Sequence, residues 1–134
     1  MNRIAFLAAL LILTIMAIAA PVQKRRTTYS GRGTWFTPSD PKQGGATGAC
    51  GGHLSDTAMI IALNLNQYGN QNKKSSNCGR TVTITGPHGT AKAKVADCCA
   101  SCPSKGQIDM TQKLFNKVVG KSSIGVATVH WYFD

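Results

Sequence analysis

The chain has 134 residues, enough for one domain, and its formal net charge of +10 gives a sequence pI near 9.8. All five acidic residues are aspartates, and the five cysteines are an odd number, which excludes complete pairing within a monomer. The positive charge favours anionic partners, such as acidic polysaccharides or phospholipid headgroups, and otherwise serves solubility alone.

The first 28 residues precede the predicted domain. Asn2-Arg3 is a short basic start, and the apolar run 4–20 contains no charge and ends in small residues. This pattern predicts a secretory signal peptide over residues 1–19, because the run is slightly short for the alternative, a retained membrane anchor. The leader 20–28 contains Lys24-Arg25-Arg26, which is either a second processing site or a solvated linker. We therefore expect an extracellular protein that partners with neither nucleic acid nor, after signal cleavage, a membrane.

Residues 29–134 predict one domain built mostly of β-strands. Two β-rich runs that flank Gly86-Pro87-His88-Gly89 give the clearest pattern, that of a hairpin. Thr111 is expected to cap a short helix with an apolar stripe, and Gly120 to end it. The predicted elements are, in chain order, a strand at 31–37, a loop at 38–48, a buried strand at 59–63, a polar loop at 64–77, the hairpin at 80–97, the helix at 111–120 and a final strand at 125–133.

The second strand of the hairpin indicates where one carboxylate lies. Side chains alternate across a strand, so Ala93, Val95 and Asp97 share one face, and Lys92 and Lys94 share the other. The lysine face must meet water, which predicts that Asp97 lies on the inward face, at the strand's end. An unpaired charge is costly there, so we expect it at the barrel mouth or bound to donors.

Asp109 precedes the predicted helix, where the positive end of the helix dipole and free N–H groups favour a carboxylate. Such a residue is either functional or simply satisfies backbone donors.

Several motifs together resemble a known family, the rare lipoprotein A-like, barwin- and expansin-related double-psi β-barrels. They are, in order, GRGTWFT, GACGG, IIALN, YG, NCGR, KVADCCASCPSKGQIDMTQKLF and GVATVHWYF, and the similarity covers roughly residues 30–134. The nearest resemblance is to small secreted fungal members, including riboflavin-aldehyde-forming-like proteins. The resemblance implies a mostly-β fold, a six-stranded double-psi barrel with one or two short helices.

The resemblance also implies a groove and assigns residues to it. Asp109 matches the general acid of the family's endoglucanases, which is essential in expansins and transglycosylases, and Asp97 matches the second Asp of expansins. Thr34 matches a groove Thr or Ser, and Trp35 and Phe36 fall where aromatic groove residues occur. Tyr68 is expected to offer a further aromatic contact. Asp109 and Asp97 are the catalytic candidates, and Thr34, Trp35 and Tyr68 are the substrate-binding ones.

Three departures from the family weigh against catalysis. The stretch 33–37 has no carboxylate where the endoglucanases hold their base, and 62–64 has no histidine where the transglycosylases hold theirs. Cys99 stands where expansins have a groove tyrosine. We also expect no counterpart of the second, cellulose-binding domain of expansins.

The resemblance suggests disulfides Cys50–Cys78 and Cys99–Cys102, which leaves Cys98 as a free thiol, an intermolecular link or an alternative partner of Cys102. A zinc site built from the cysteines and a histidine is the rival interpretation, but the three histidines lack metal-site spacing. We expect no metal, no cofactor and a monomer unless Cys98 links two chains.

The leading hypothesis is a secreted, cell-wall-associated, expansin-like protein that binds polysaccharide without hydrolysing it. One alternative is a weak glycan-cleaving enzyme, of lytic transglycosylase or endoglucanase type, with Asp109 as proton donor. The other is a protease inhibitor or effector that binds a secreted or host protein through its loops at 38–56 and 64–78.

Overall fold

The computed structural model describes residues 14–134, so residues 1–13 of the predicted signal peptide lie outside the described part. Residues 14–28 contain no helix or strand and are exposed. No helix within residues 14–134 is long and apolar enough to cross a membrane. The bounds of the signal peptide and the leader stay predictions.

Six strands close into a barrel in the spatial order β1-β5-β2-β4-β3-β6, with two short helices outside the strands. The strands are β1 Tyr29–Phe36, β2 Ile60–Asn64, β3 Thr81–Thr85, β4 Thr90–Cys99, β5 Ile108–Thr111 and β6 Ala127–Phe133, and the helices are α1 Leu65–Tyr68 and α2 Gln112–Val118. β1 and β5 run parallel, as do β2 and β4, and the other neighbours run antiparallel. The predicted mostly-β, six-stranded barrel is confirmed.

The interior of the barrel is apolar, and α2 closes part of it. Leu114, Phe115 and Val118 of α2 are fully buried, as the predicted stripe requires, and Trp131 of β6 is buried with them. Thr111 holds the position before the helix, but its hydroxyl donates to the carbonyl of Ala58 at 2.6 Å and does not cap α2. The capping prediction was therefore wrong, because a contact from a distant loop takes the hydroxyl.

Two elements depart from the sequence interpretation. The start of the predicted polar loop forms α1, because the Asn64 side chain caps it by accepting from the backbone N–H of Gln67 at 2.9 Å. β5 was not predicted as a strand, yet it lies between β1 and β2 and bonds to both. Asp109 therefore lies on a strand, two residues before the N-cap position of α2.

The structure contains two disulfides, the pairs that the resemblance implied. Cys50–Cys78 joins two loops, and Cys99–Cys102 joins the last residue of β4 to the turn that follows it. Cys98 is the free cysteine of the described residues.

Candidate functional site

One row of side chains crosses four neighbouring strands. Thr34 of β1 lies opposite Asp109 of β5, and Asp109 lies opposite Ala62 of β2. Ala62 in turn lies opposite Asp97 of β4. Residues in register on neighbouring strands project from one face of the sheet, and this row spans about 14 Å at its Cα atoms. The register thus brings together three of the residues predicted for a groove.

This row lies on the outer face of the barrel. Ile108 and Met110, which flank Asp109 along β5, are fully buried in the interior cluster. Ala62 instead belongs to a second apolar cluster, which also contains Phe36 of β1, Leu54 and the Cys99–Cys102 disulfide. Because strand residues alternate, the row and this second cluster occupy the opposite face from the interior core.

Asp97 does not face inward, as strict alternation along β4 predicted. The pairing of β2 with β4 shifts between two residues, since Ile61 lies opposite Val95 and Ala62 lies opposite Asp97. Ala96 is the extra residue of a β-bulge, and a bulge re-aims the side chains that follow it. Val95 is 1% exposed in the interior, whereas Ala96 packs against the outer cluster. The inward assignment was therefore wrong.

Asp109 is a largely buried carboxyl group with one close side-chain partner. The hydroxyl of Thr34 donates to Asp109 Oδ1 at 2.9 Å. Desolvation by burial raises the pKa of Asp109 from 3.8 to about 6, and the negative charge of Asp97 contributes to the increase. The hydrogen bonds from Thr34 and from the backbone N–H of Met110 act in the opposite direction. Near pH 6 the group can therefore either donate or accept a proton.

Asp97 is held by the backbone. Its Oδ1 accepts from the N–H of Ala49 at 2.7 Å and from the N–H of Cys98 at 2.8 Å. The first of these bonds ties the loop before Cys50 to the end of β4. These two N–H groups are the donors that a partly buried carboxylate needs. The position of Asp97 in the row also gives Asp109 a charged neighbour.

The row forms part of the lining of a cleft of about 450 Å³. Trp35 packs with part of its ring against the core, its indole N–H donates to the carbonyl of Ser122 at 2.9 Å, and its exposed part lines the cleft. The lining residues are Trp35, Phe36, Lys42, Gln43, Gly44, Ala62, Asp97, Cys98, Cys99, Ala100, Ser101 and Asp109.

Tyr68 does not belong to this cleft. It is 3% exposed, packs in the interior cluster at the end of α1, and donates its hydroxyl to the carbonyl of Lys73 at 3.0 Å. Its ring therefore has no free face for a ligand, and the expectation of an aromatic contact from Tyr68 was wrong. The short helix, which the sequence interpretation missed, turns this residue inward.

Phe36, which the resemblance placed among the aromatic groove residues, forms part of the apolar wall of the cleft. Two other lining residues were not singled out from the sequence: Lys42 and Gln43 come from a 3-10 turn in the loop after β1. The Asp40 side chain accepts from the N–H of Lys42, which shapes this turn. An Asp-Pro pair at 40–41 followed by Gly44-Gly45 signals a turn, but nothing in the pattern places that turn over the outer face of β2 and β4.

Cys98 also lines the cleft, although part of its side chain packs against the interior cluster. Burial, and then the neighbouring charge of Asp97, raises the pKa of the Cys98 thiol. The thiol is therefore protonated at neutral pH and a weak nucleophile. Among residues 14–134, no three His, Cys, Asp or Glu side chains come together in a way that could hold a metal ion.

Comparisons with known proteins agree with this architecture. No family model matches the chain. A curated relative, the Allergen Asp f 7 homolog of Arthroderma benhamiae, is 37% identical over 76 residues, which are 56% of this chain and 26% of that protein. The chain thus spans about a quarter of the length of this relative.

Solved structures show the same barrel. The expansin of Clavibacter michiganensis, without ligand, matches with a TM-score of 0.65 and 26% identity over 81% of this chain and 50% of that one. A mutant of this expansin in complex with cellohexaose matches with a TM-score of 0.66, at 24% identity over the same shares. A papain inhibitor of Streptomyces matches with a TM-score of 0.65 and 25% identity over 80% of this chain and 94% of the inhibitor. The chain therefore shares its barrel fold with this expansin and this papain inhibitor, and the resemblance to double-psi β-barrel proteins that its motifs implied is confirmed.

Proposed function

We propose that this protein is secreted, associates with the cell wall and binds polysaccharide in the cleft without hydrolysing it. The observation that carries the proposal is the row of Thr34, Asp109 and Asp97 on the outer face of the barrel, because Asp109 and Asp97 line a cleft there. The related expansin that was crystallised with cellohexaose supports the same class of ligand.

The cleft combines the two kinds of contact that a sugar chain needs. Asp109 offers hydrogen-bonding oxygens to the sugar hydroxyls, and Lys42 and Gln43 offer N–H donors from the loop after β1. Trp35, which is half-buried, supplies apolar surface for the face of a sugar ring.

The neighbours of Asp109 favour binding over hydrolysis. Inverting hydrolysis requires a second carboxylate that activates water on the far side of the sugar. The adjacent position in the row is Ala62, which supplies no base. Asp97 comes next, but its Oδ1 is occupied by two backbone N–H groups. The cleft therefore contains one proton donor and no carboxylate that is free of a structural role.

A weak glycan-cleaving activity is the second candidate, and the raised pKa of Asp109 favours it. A carboxyl group with a pKa of about 6 is suited to general acid catalysis in a mildly acidic wall. Asp97 lies two strands away, so the two Cα atoms are about 10 Å apart.

A protein-binding role is the third candidate. It is favoured by the Streptomyces papain inhibitor, because the match extends over 94% of that protein. Binding of this kind would use the loops around 38–56 and 64–78, and would not need Asp109.

A sedimentation assay with insoluble polymers tests these candidates. The purified protein is mixed with cellulose, chitin, β-glucan or peptidoglycan at low and high salt. The protein left in the supernatant gives the bound fraction, and the same supernatant is assayed for released sugars. Salt-resistant binding to one polymer without sugar release is the expected result. Asp109→Asn should weaken this binding about 2-fold to 10-fold, the effect of losing one hydrogen-bonding group.

Asp56→Asn is the matched control, since Asp56 is a carboxylate outside the cleft that bonds to Ser39. Sugar release that disappears in Asp109→Asn, but not in Asp56→Asn, would replace the binding proposal with the enzymatic one. If the protein bound none of the polymers at high salt and released no sugars, the binding proposal and the enzymatic one would both be refuted, and the protein-binding role would remain.

A further inference from the structure

A second recess lies at the other end of β1, away from the cleft. It has a volume of about 1190 Å³, larger than the usual 300–1,000 Å³ of a small-molecule pocket, so its size suits a polymer. We define the basic surface as the five cationic side chains of this recess, together with the rings of Tyr29 and Phe133. The cations are Lys24, Arg25, Arg26, Arg80 and Lys105.

Two of these cations are held in place by the folded barrel. The guanidinium of Arg80 lies 3.8 Å from the centre of the Phe133 ring, and its Nη1 donates to Asn77 Oδ1 at 2.9 Å. Asn77 in turn donates to the carbonyl of Gln67 at 2.8 Å. A guanidinium fixed by stacking and by one hydrogen bond keeps its other N–H groups available in a planar fork, which matches the two oxygens of a carboxylate.

Lys105 is positioned through its neighbour in the chain. The ammonium lies 5.6 Å from the centre of the Tyr29 ring. Gly106 is fixed on both sides, since its N–H donates to Gln67 Oε1 at 3.0 Å and its carbonyl accepts from the indole N–H of Trp131 at 2.8 Å. The turn that carries Lys105 is therefore anchored to the core, and its cation lines the same recess as Arg80.

The protein itself supplies little negative charge to this surface. Among the described residues that line the recess, Asp134 is the single carboxylate; it is paired with Lys92 and also feels the charge of Arg26. The guanidinium of Arg26, which belongs to the leader, lies 5.0 Å from the centre of the Tyr132 ring. Five cations with one shared carboxylate repel one another, so the arrangement favours an anionic ligand that bridges them.

We propose that the basic surface binds an acidic polysaccharide, a chain of uronic acid units, independently of what the cleft binds. Two observations favour this polymer over other polyanions. The lining contains no aliphatic side chain that would enter a lipid bilayer, and its amides, from Asn66, Gln67 and Asn77, suit sugar hydroxyls. The two disulfides indicate an oxidising compartment, where nucleic acid is not the abundant polyanion.

The separation of the two sites follows from the strand between them. Tyr29 begins β1 and Thr34 is its sixth residue, so their Cα atoms are about 16 Å apart along the strand. A ligand in the cleft therefore leaves the basic surface accessible.

The test is the affinity of the secreted protein for soluble polygalacturonate, measured by biolayer interferometry over a range of salt concentrations. The double variant Arg80→Gln/Lys105→Gln is compared with Lys113→Gln/Lys117→Gln, which removes the same charge from exposed positions on α2. We expect a loss of at least about tenfold in the first variant and less than about twofold in the second. The slope of log affinity against log salt should also fall by about two in the first variant alone, because two fewer counterions are released.

Circular dichroism and thermal melting of both double variants exclude a loss of folding as the cause. Arg80→Lys keeps the charge but not the planar fork, so its affinity for polygalacturonate should lie between those of the two double variants. An equal loss in both double variants would overturn the proposal, because net charge alone would then explain the binding. Tighter binding to vesicles of 30% phosphatidylserine in phosphatidylcholine would also overturn it and assign the surface to lipid headgroups. Asp109→Asn should leave polygalacturonate binding unchanged, so failure of the cleft proposal is measured separately.

Discussion

Asp109→Asn is expected to stabilise the protein at neutral pH and to have little effect on stability at pH 4. Burial raises the pKa of Asp109 from 3.8 to about 6, so the folded protein retains a proton over a pH range in which the unfolded chain has lost it. The stabilisation by this proton is fully present below the unfolded pKa and is lost as pH rises through the folded one. A shift of about two pKa units corresponds to about 3 kcal/mol, which is the most that ionised Asp109 costs above pH 6.

Asparagine removes this cost, because it is neutral at every pH and has nearly the same shape. Its side-chain oxygen can still accept the hydrogen bond from Thr34. We therefore expect the free energy of unfolding of Asp109→Asn to exceed that of the wild type by about 1–3 kcal/mol at pH 7.5, and by less than about 0.5 kcal/mol at pH 4. For a domain of this size, each kcal/mol raises Tm by about 4–8 °C.

Urea unfolding, followed by tryptophan fluorescence between pH 4 and pH 7.5, measures this difference. Asp56→Asn is the matched control, because hydrogen bonds from Ser39 lower the pKa of Asp56. Asp56→Asn should therefore be less stable than the wild type at neutral pH, and closer to the wild type at pH 4. This difference has the opposite sign to that expected for Asp109→Asn. If Asp109→Asn destabilised the protein equally at all pH values, the carboxylate would have a structural role and the reasoning from burial would be refuted.

Three further predictions concern the neighbours of this site and the cysteines. Asp97→Asn should lower the pKa of Asp109, because it removes a negative neighbour; an unchanged carbon-13 titration of the Asp109 carboxyl would contradict this. Replacing Cys50 and Cys78 by alanine opens a loop of sequence separation 28 and should cost about 3–4 kcal/mol in urea unfolding, whereas a cost below about 1 kcal/mol would show that the disulfide barely constrains the unfolded chain. Cys98 should react with a disulfide reagent more slowly in the folded than in the unfolded protein, and faster in Asp97→Asn; a fast reaction in the folded wild type would contradict its raised pKa.

Local patterns were enough to predict the hairpin and α2. β4 alternates regularly as far as Val95, with Ala93 and Val95 buried and Lys92 and Lys94 turned away from the interior. β3 and β4 pair with each other and are neighbours in the sequence, so the alternating pattern and the turn residues together determine the pairing. The apolar stripe of α2 is equally local, because residues three and four apart share a face.

The geometry of the cleft could not be predicted in this way. β5 has four residues, too few to show a period, and its place between β1 and β2 depends on pairing with distant strands. The bulge at Ala96 follows from the register with β2, and it alone turns Asp97 to the outer face. The motifs nevertheless singled out Asp97, Asp109 and Thr34, which the register brings into one row, because a family resemblance selects positions without recording which way their side chains face.

The two proposed surfaces have different physical requirements, and this difference explains why both can exist on so small a barrel. The cleft depends on burial, since the unusual pKa of Asp109 comes first from desolvation and would be lost in an open site. The basic surface depends on exposure, because cations that release counterions must contact a hydrated polymer. The two surfaces lie toward opposite ends of β1, where Tyr29 and Thr34 are about 16 Å apart along the strand. They share no lining residue, so a substitution in one surface leaves the lining side chains of the other unchanged.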